Sequence, residues 1–299
     1  MTFDLDAYLD SRRQLVDQAL AQRLETIAQS TPETLVSSMR YSLLAGGKRL
    51  RPILCLAACE AVGGTPEDAI DVACALEMIH TYSLIHDDLP SMDNDDFRRG
   101  RPTSHKVYGE AVAILTGDAL LTESFRVALE SRHRDPRRAA PLADTVFEMA
   151  SAAGAAGMVG GQVIDIEATG KRIDLPHLER LHHGKTGELL LVSVRAGGRL
   201  GGAQPAELDR LSRYGRSLGL AFQIIDDVLD VTADLATLGK DPGSDREAGK
   251  TTFVDLLGIE AARTRAREVM ASGIAALEPL GERAEALRAL ARFTVERDR

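Results

Sequence analysis

Apolar positions recur along the chain at spacings of three and four, and alternating β-branched runs are nearly absent, so the pattern predicts helices throughout. Leu9, Leu15, Leu20, Leu24 and Ile27 mark one face of a first helix over residues 5–27. Thr31-Pro32-Glu33 opens a second, with a cap residue ahead of a proline, and Gly46-Gly47 stops it. Pro52 starts a third. After Gly63-Gly64-Thr65-Pro66, a long apolar helix runs over about residues 67–86. Later breaks fall near Gly100, at Asp135-Pro136, over residues 170–176 and 201–205, and over residues 238–243. None is a long Pro/Ser-rich linker, so the expectation is all-α: a single-domain helical bundle over residues 1–299.

Composition narrows the classes. The 299 residues are 44% hydrophobic, enough for a sizeable core, and carry a net charge of −9, which argues against nucleic acid as a partner. Three Cys are no disulfide framework, and Cys55 and Cys59, four apart in an apolar stretch, read as buried helix thiols. The first ten residues are acidic, and no apolar run approaches the roughly 18 residues of a membrane span, so a cytoplasmic protein without stable membrane insertion is expected.

How the charge is distributed matters more than its sum. Eleven of the 25 Asp lie in residues 87–96 and 226–245, and neither window holds a Glu. Against 30 Arg there are six Lys, of which Lys48, Lys171, Lys185, Lys240 and Lys250 each follow a Gly. Asp226 and Asp230 are four apart, hence on one helix face with Asp227 beside them. Asp87 and Asp93 are six apart, about 120° out of register on a regular helix. Pro90 resolves this, because it breaks the hydrogen-bond ladder and lets the following residues fold Asp93 back towards Asp87. Both windows follow residues patterned for burial, such as Leu84-Ile85 and Ile224-Ile225. Like charges about 4 Å apart repel by on the order of 4 kcal/mol at an effective dielectric near 20, so carboxylates held there need counter-ions. Asp-only clusters suit hard divalent cations, Mg2+ above all, which shares its shell with water and phosphate oxygens.

The basic residues group at residues 46–52, 98–101, 184–187 and 239–240. A nucleotide P-loop is excluded: the positions five before Gly47, Gly184 and Gly249 hold Ser42, Glu179 and Ser244, and no strand precedes. Two sets of cations with Asp clusters between them are the layout of a site for diphosphates. No Ser/His/Asp triad or Cys nucleophile is suggested, which leaves metal-assisted departure of a phosphate group.

The two Asp motifs, with GGKRLRP, RRGRPT, GGQVIDI, GKTG and GLAFQIIDDVLDVTADLATLGK in this order, resemble the trans-isoprenyl diphosphate synthases, most closely the bacterial farnesyl type, over roughly residues 35–270. The resemblance implies helices around a deep central cavity, a homodimer, and head-to-tail condensation of an allylic diphosphate, dimethylallyl or geranyl, with isopentenyl diphosphate. It implies that Asp87, Asp93 and Asp226 bind three Mg2+, replaceable by Mn2+, with Asp88, Asp227 and Asp230 as supporting ligands. Arg98, Lys185 and Lys240 then meet the allylic diphosphate, while Gly47, Lys48, Arg51, His80 and Arg99 form the isopentenyl diphosphate site. Thr186 and Gln223 face the developing allylic cation. Arg101, His105 and His182 are read as surface groups. Glu188 departs from the family pattern, which has a small or apolar residue there.

An aromatic five residues before the first Asp, and Pro90 inside the motif, resemble the farnesyl type and imply a fifteen-carbon product. Tyr82 is then the floor for the growing tail, and Ser83 the small residue that admits a second isoprene unit. Geranyl or geranylgeranyl diphosphate synthase is the alternative. A class I terpene cyclase fits less well, since the second motif lacks its Glu and the chain has no Trp and 4% aromatics. A non-catalytic helical binding protein is the remaining class.

Overall fold

The computed structural model describes residues 3–130, 135–232 and 249–296. In chain order the helices are α1 (Leu5–Ala28), α2 (Glu33–Leu43), α3 (Leu50–Ala61), α4 (Pro66–Asp87), α5 (Ser104–Tyr108), α6 (Glu110–Ala128), α7 (Ala139–Ala153), α8 (Met158–Ala168), α9 (Leu175–His182), α10 (Glu188–Leu200), α11 (Pro205–Thr232), α12 (Phe253–Leu257), α13 (Ile259–Ala276) and α14 (Glu285–Glu296). A two-stranded hairpin, β1 (Phe97–Arg98) paired antiparallel with β2 (Arg101–Pro102), follows α4. The fold is all-α, as the three-and-four pattern requires.

α3 and α10 form the centre. Leu56 and Cys59 of α3 and Leu189 and Val192 of α10 pack into one core with α1, α4 and α6. Ile53 and Leu54, with Leu190 and Val194, pack into a second core with α11, α13 and α14. α3 is therefore apolar nearly all round, whereas α10 keeps one polar edge made of Glu188, Arg195 and Arg199. They meet backbone to backbone, for a Cβ on Gly197 would overlap the Cys55 carbonyl.

Helix ends follow local chemistry. α4 begins with a capping box between Thr65 and Asp68 and has Pro66 in its first turn. α3 begins two residues before Pro52. Its cap is Arg49, buried in the left-handed conformation (φ 49°) and held by Asp17 at 2.8 Å, Glu77 at 2.8 Å and the Leu43 carbonyl at 2.8 Å. That three-way anchor starts the helix where side-chain propensity does not. All three Cys are buried and free. Among the described residues, no helix is long and apolar enough to cross a membrane.

Candidate active site

The first acidic window sits where α4 ends. The helix stops at Asp87, and beyond Pro90 the Asp93 N–H donates to the Asp87 carbonyl at 2.8 Å, so the six-residue spacing folds back as Pro90 demands. Burial pushes the Asp87 carboxyl up; Lys185 opposes the rise, and Asp93 adds to it. Asp88 is 3% exposed and accepts from Arg98 Nε at 2.6 Å, yet burial outweighs that guanidinium and its carboxyl rises to about 6. Asp93 is exposed.

The hairpin then returns two guanidiniums towards α4. Arg99 and Gly100, its central residues, both have positive φ (54° and 71°), the geometry a tight two-residue hairpin turn needs. Arg99 donates to the Gly46 carbonyl, and a Cβ on Gly47 would come within 2.7 Å of the Arg99 guanidinium, so Gly47 is what lets the two loops touch. Lys48 is exposed on the same loop.

Arg51 is the second residue of α3. Its Nε is buried without a hydrogen-bond partner, and burial lowers its guanidinium to about 10, with Arg99 adding to the fall and Glu77 and Asp226 opposing it. His80 on α4 is pushed well below the usual imidazole range by burial and then by Arg51, Arg99, Arg98 and Arg49. A neutral His among guanidiniums, with an unpartnered buried Nε, is a cradle suited to an anion.

The second acidic window lies on the last turns of α11. Asp226 is half-buried, with Gln223 Nε2 at 3.5 Å. Asp227 accepts the Phe253 N–H at 2.7 Å, which ties α11 to the start of α12, and Asp230 is buried below it. Facing them is a turn of i→i+5 type, His183–Gly187, inserted between α9 and α10. Such turns recur at functional sites. It carries Lys185 and Thr186, both half-buried. Lys185 Nζ reaches Asp165 of α8 at 2.6 Å, and Lys250 reaches the same oxygen at 3.5 Å. Burial raises Asp165, but the two ammoniums outweigh it and hold the carboxyl below its ordinary range. Lys240 lies outside the described residues. Tyr82 is buried in the core, with its ring edge-on to His86 at 5.8 Å, and Ser83 Oγ donates to the His80 carbonyl at 2.9 Å.

Among the described residues, no three His, Cys, Asp or Glu converge to hold a metal ion. The donors nevertheless fit Mg2+, which demands hard oxygens and takes one or two carboxylates alongside water and phosphate oxygens rather than a complete protein cage. Asp87, raised by burial and by Asp93, is a carboxylate that a nearby cation would relieve.

Two of the expected surface groups are not on the surface. His105 is buried, with Nδ1 3.1 Å from Thr103 Oγ1. His182 stacks on Phe253 at 5.5 Å with Asp227 3.8 Å away, and burial lowers it to about 4. The Asp165 pair with Lys185 and Lys250 also went unassigned, although the small-residue run before Asp165 marked a close backbone approach: a Cβ on Gly161 would fall on the Lys185 amide nitrogen.

Known proteins share this architecture. The chain is 50% identical to a dimethylallyltranstransferase of Fischerella ambigua, over 99% of this chain and 84% of that one. It is 47% identical to a chloroplastic geranylgeranyl pyrophosphate synthase of Capsicum annuum, over 99% and 79%. A crystal structure described as an FPP/GFPP synthase from Zymomonas mobilis superposes with a TM-score of 0.84 at 40% identity, covering 97% of this chain and 98% of that one. The polyprenyl synthetase model matches residues 32–288, and with that span taking in both acidic windows and every described cation around them, the chain belongs to the polyprenyl synthetase family.

Proposed function

We propose that the protein is a trans-prenyl diphosphate synthase that joins isopentenyl diphosphate to dimethylallyl or geranyl diphosphate, with farnesyl diphosphate as main product. The observation that carries this reading is the Arg51 cradle: a buried, unpartnered guanidinium nitrogen beside a neutral His80 and close to Arg99. In this reading the protein takes two diphosphates, one at the Arg51 cradle and one beside the Asp windows.

In this reading Lys48, Arg51, His80 and Arg99 hold isopentenyl diphosphate, with Gly47 leaving room for Arg99. Asp87, Asp93 and Asp226 hold Mg2+ against the allylic diphosphate, supported by Asp88, Asp227 and Asp230. When bound, Mg2+ supplies Lewis-acid stabilisation of charge on the departing diphosphate. Arg98 and Lys185, with Lys240, are placed on that same leaving group, so cleavage of the C–O bond builds negative charge where positive charge already stands. Thr186 and Gln223 present dipoles to the allylic carbon, whose cation the isopentenyl double bond attacks. The departing diphosphate takes the proton whose loss completes the product.

A second reading, a twenty-carbon product, is favoured by the geranylgeranyl pyrophosphate synthase relative. Tyr82 supports fifteen carbons, because its ring is buried on α4 five residues before Asp87 and braced by His86. Incubation with Mg2+, isopentenyl diphosphate and each allylic starter, with mass analysis of the products, tests both. Farnesyl diphosphate that disappears on chelation is expected. A predominant C20 product replaces the chain-length reading, and no prenyl diphosphate at all refutes the reaction.

A further inference from the structure

The turn His183–Gly187 is closed twice by the same two residues. The Glu188 N–H donates to the His183 carbonyl, and His183 Nε2 lies 2.7 Å from Glu188 Oε1. Both closures span i to i+5, one residue longer than an α-helical turn. Losing that extra residue would rotate everything ahead of it by about 100° relative to α10. The inner sides of the turn are fixed by backbone contact. A Cβ on Gly161 of α8 would fall on the Lys185 nitrogen, and one on Gly219 of α11 would come within 2.9 Å of the Gly187 Cα. The outer side carries the His183–Glu188 pair.

We propose that His183 and Glu188 are positioning residues, an ion pair that holds this turn open by one residue and so keeps Lys185 and Thr186 aimed at the allylic diphosphate. The inference rests on the proposed reaction. Neither residue touches substrate; both act through the turn. The pair needs His183 protonated and Glu188 ionised. Glu188 raises His183, against burial and Arg216 of α11. His183 lowers Glu188, helped by Arg216 and by Arg195 of α10 and opposed by burial. The clasp is therefore strongest below the ordinary imidazole range and is lost as pH rises through the raised His183 value.

Steady-state kinetics of wild type, Glu188→Ala, His183→Ala and the double variant, between pH 6 and 9, test this. Each single variant is expected to lower kcat and raise the allylic KM by roughly tenfold combined at pH 6, with the isopentenyl KM unchanged. The double variant should be no worse than either single one, because one interaction is removed once. The deficit should shrink at alkaline pH, where wild type also loses the pair. Equal damage to both KM values, additive losses, or wild-type kinetics in the single variants would overturn the proposal. Amide exchange of residues 184–187 without substrate keeps the question separate from the reaction itself. Faster exchange in both single variants supports the clasp even if no condensation is found, and unchanged protection rejects it.

Discussion

Arg51 is costly to folding: a buried guanidinium nitrogen without a partner destabilises a chain unless something else requires it there. Arg51→Met should therefore raise the KM for isopentenyl diphosphate by about a hundredfold, the scale of a charge-assisted contact of roughly 3 kcal/mol, without lowering the melting temperature. A melting curve measured beside the kinetics checks both halves. Tyr82→Ala should open the floor and shift the main product beyond fifteen carbons; unchanged release of farnesyl diphosphate would remove Tyr82 from that role. The fold-back of Asp93 onto Asp87 was legible in the sequence because Pro90 and the six-residue spacing dictate it without tertiary information, whereas Arg51 was singled out only by the family resemblance. His182 was not legible, since its burial depends on Phe253, seventy-one positions later, stacking on its ring. Asp165 was hidden for the same reason, as Lys185 and Lys250 reach it from other segments.

The elements show where local rules stop. Residues 5–27 and 67–86 were readable to within a residue or so, because periodicity, caps and Pro90 agree. The hairpin was visible only as a break near Gly100, since two strands of two residues hold no alternation to read. The i→i+5 turn left no periodic trace, and a single inserted residue in a helix seldom does. Gly161→Ala should drive α8 off that turn and cost about a hundredfold in kcat/KM for the allylic substrate. Gly197→Ala, against Cys55, should lower stability without selecting between substrates. Glu148 on α7 fastens α10 by accepting from Arg195 at 2.6 Å and from Arg199. Burial would raise its carboxyl, but the two guanidiniums outweigh burial and hold it at about 2. A lowered carboxyl contributes stability above its unfolded value, near 4.3, that is lost as pH falls towards 2. Glu148→Gln should then cost on the order of 2 kcal/mol at pH 7 and almost nothing at pH 2, as read from denaturant midpoints.

Across the whole molecule, two cores share α3 and α10, and the candidate site lies where α4, α8, α10 and α11 bring their ends together. Exposed apolar side chains gather on α6, α7 and α8, with Leu115 57% and Phe147 74% exposed. The homodimer that the family resemblance implies would seat a second copy of the chain on this surface. Sedimentation should give twice the chain mass, and Leu115→Glu with Phe147→Glu should halve it. The central claim is that one site ionises an allylic diphosphate and spends the cation on isopentenyl diphosphate. Its most direct test is the stoichiometry of diphosphate release with geranyl diphosphate, isopentenyl diphosphate and Mg2+ together. One inorganic diphosphate per farnesyl diphosphate formed, and none when isopentenyl diphosphate is withheld, is the predicted result; release of diphosphate without any longer prenyl diphosphate, or no release at all, would contradict it.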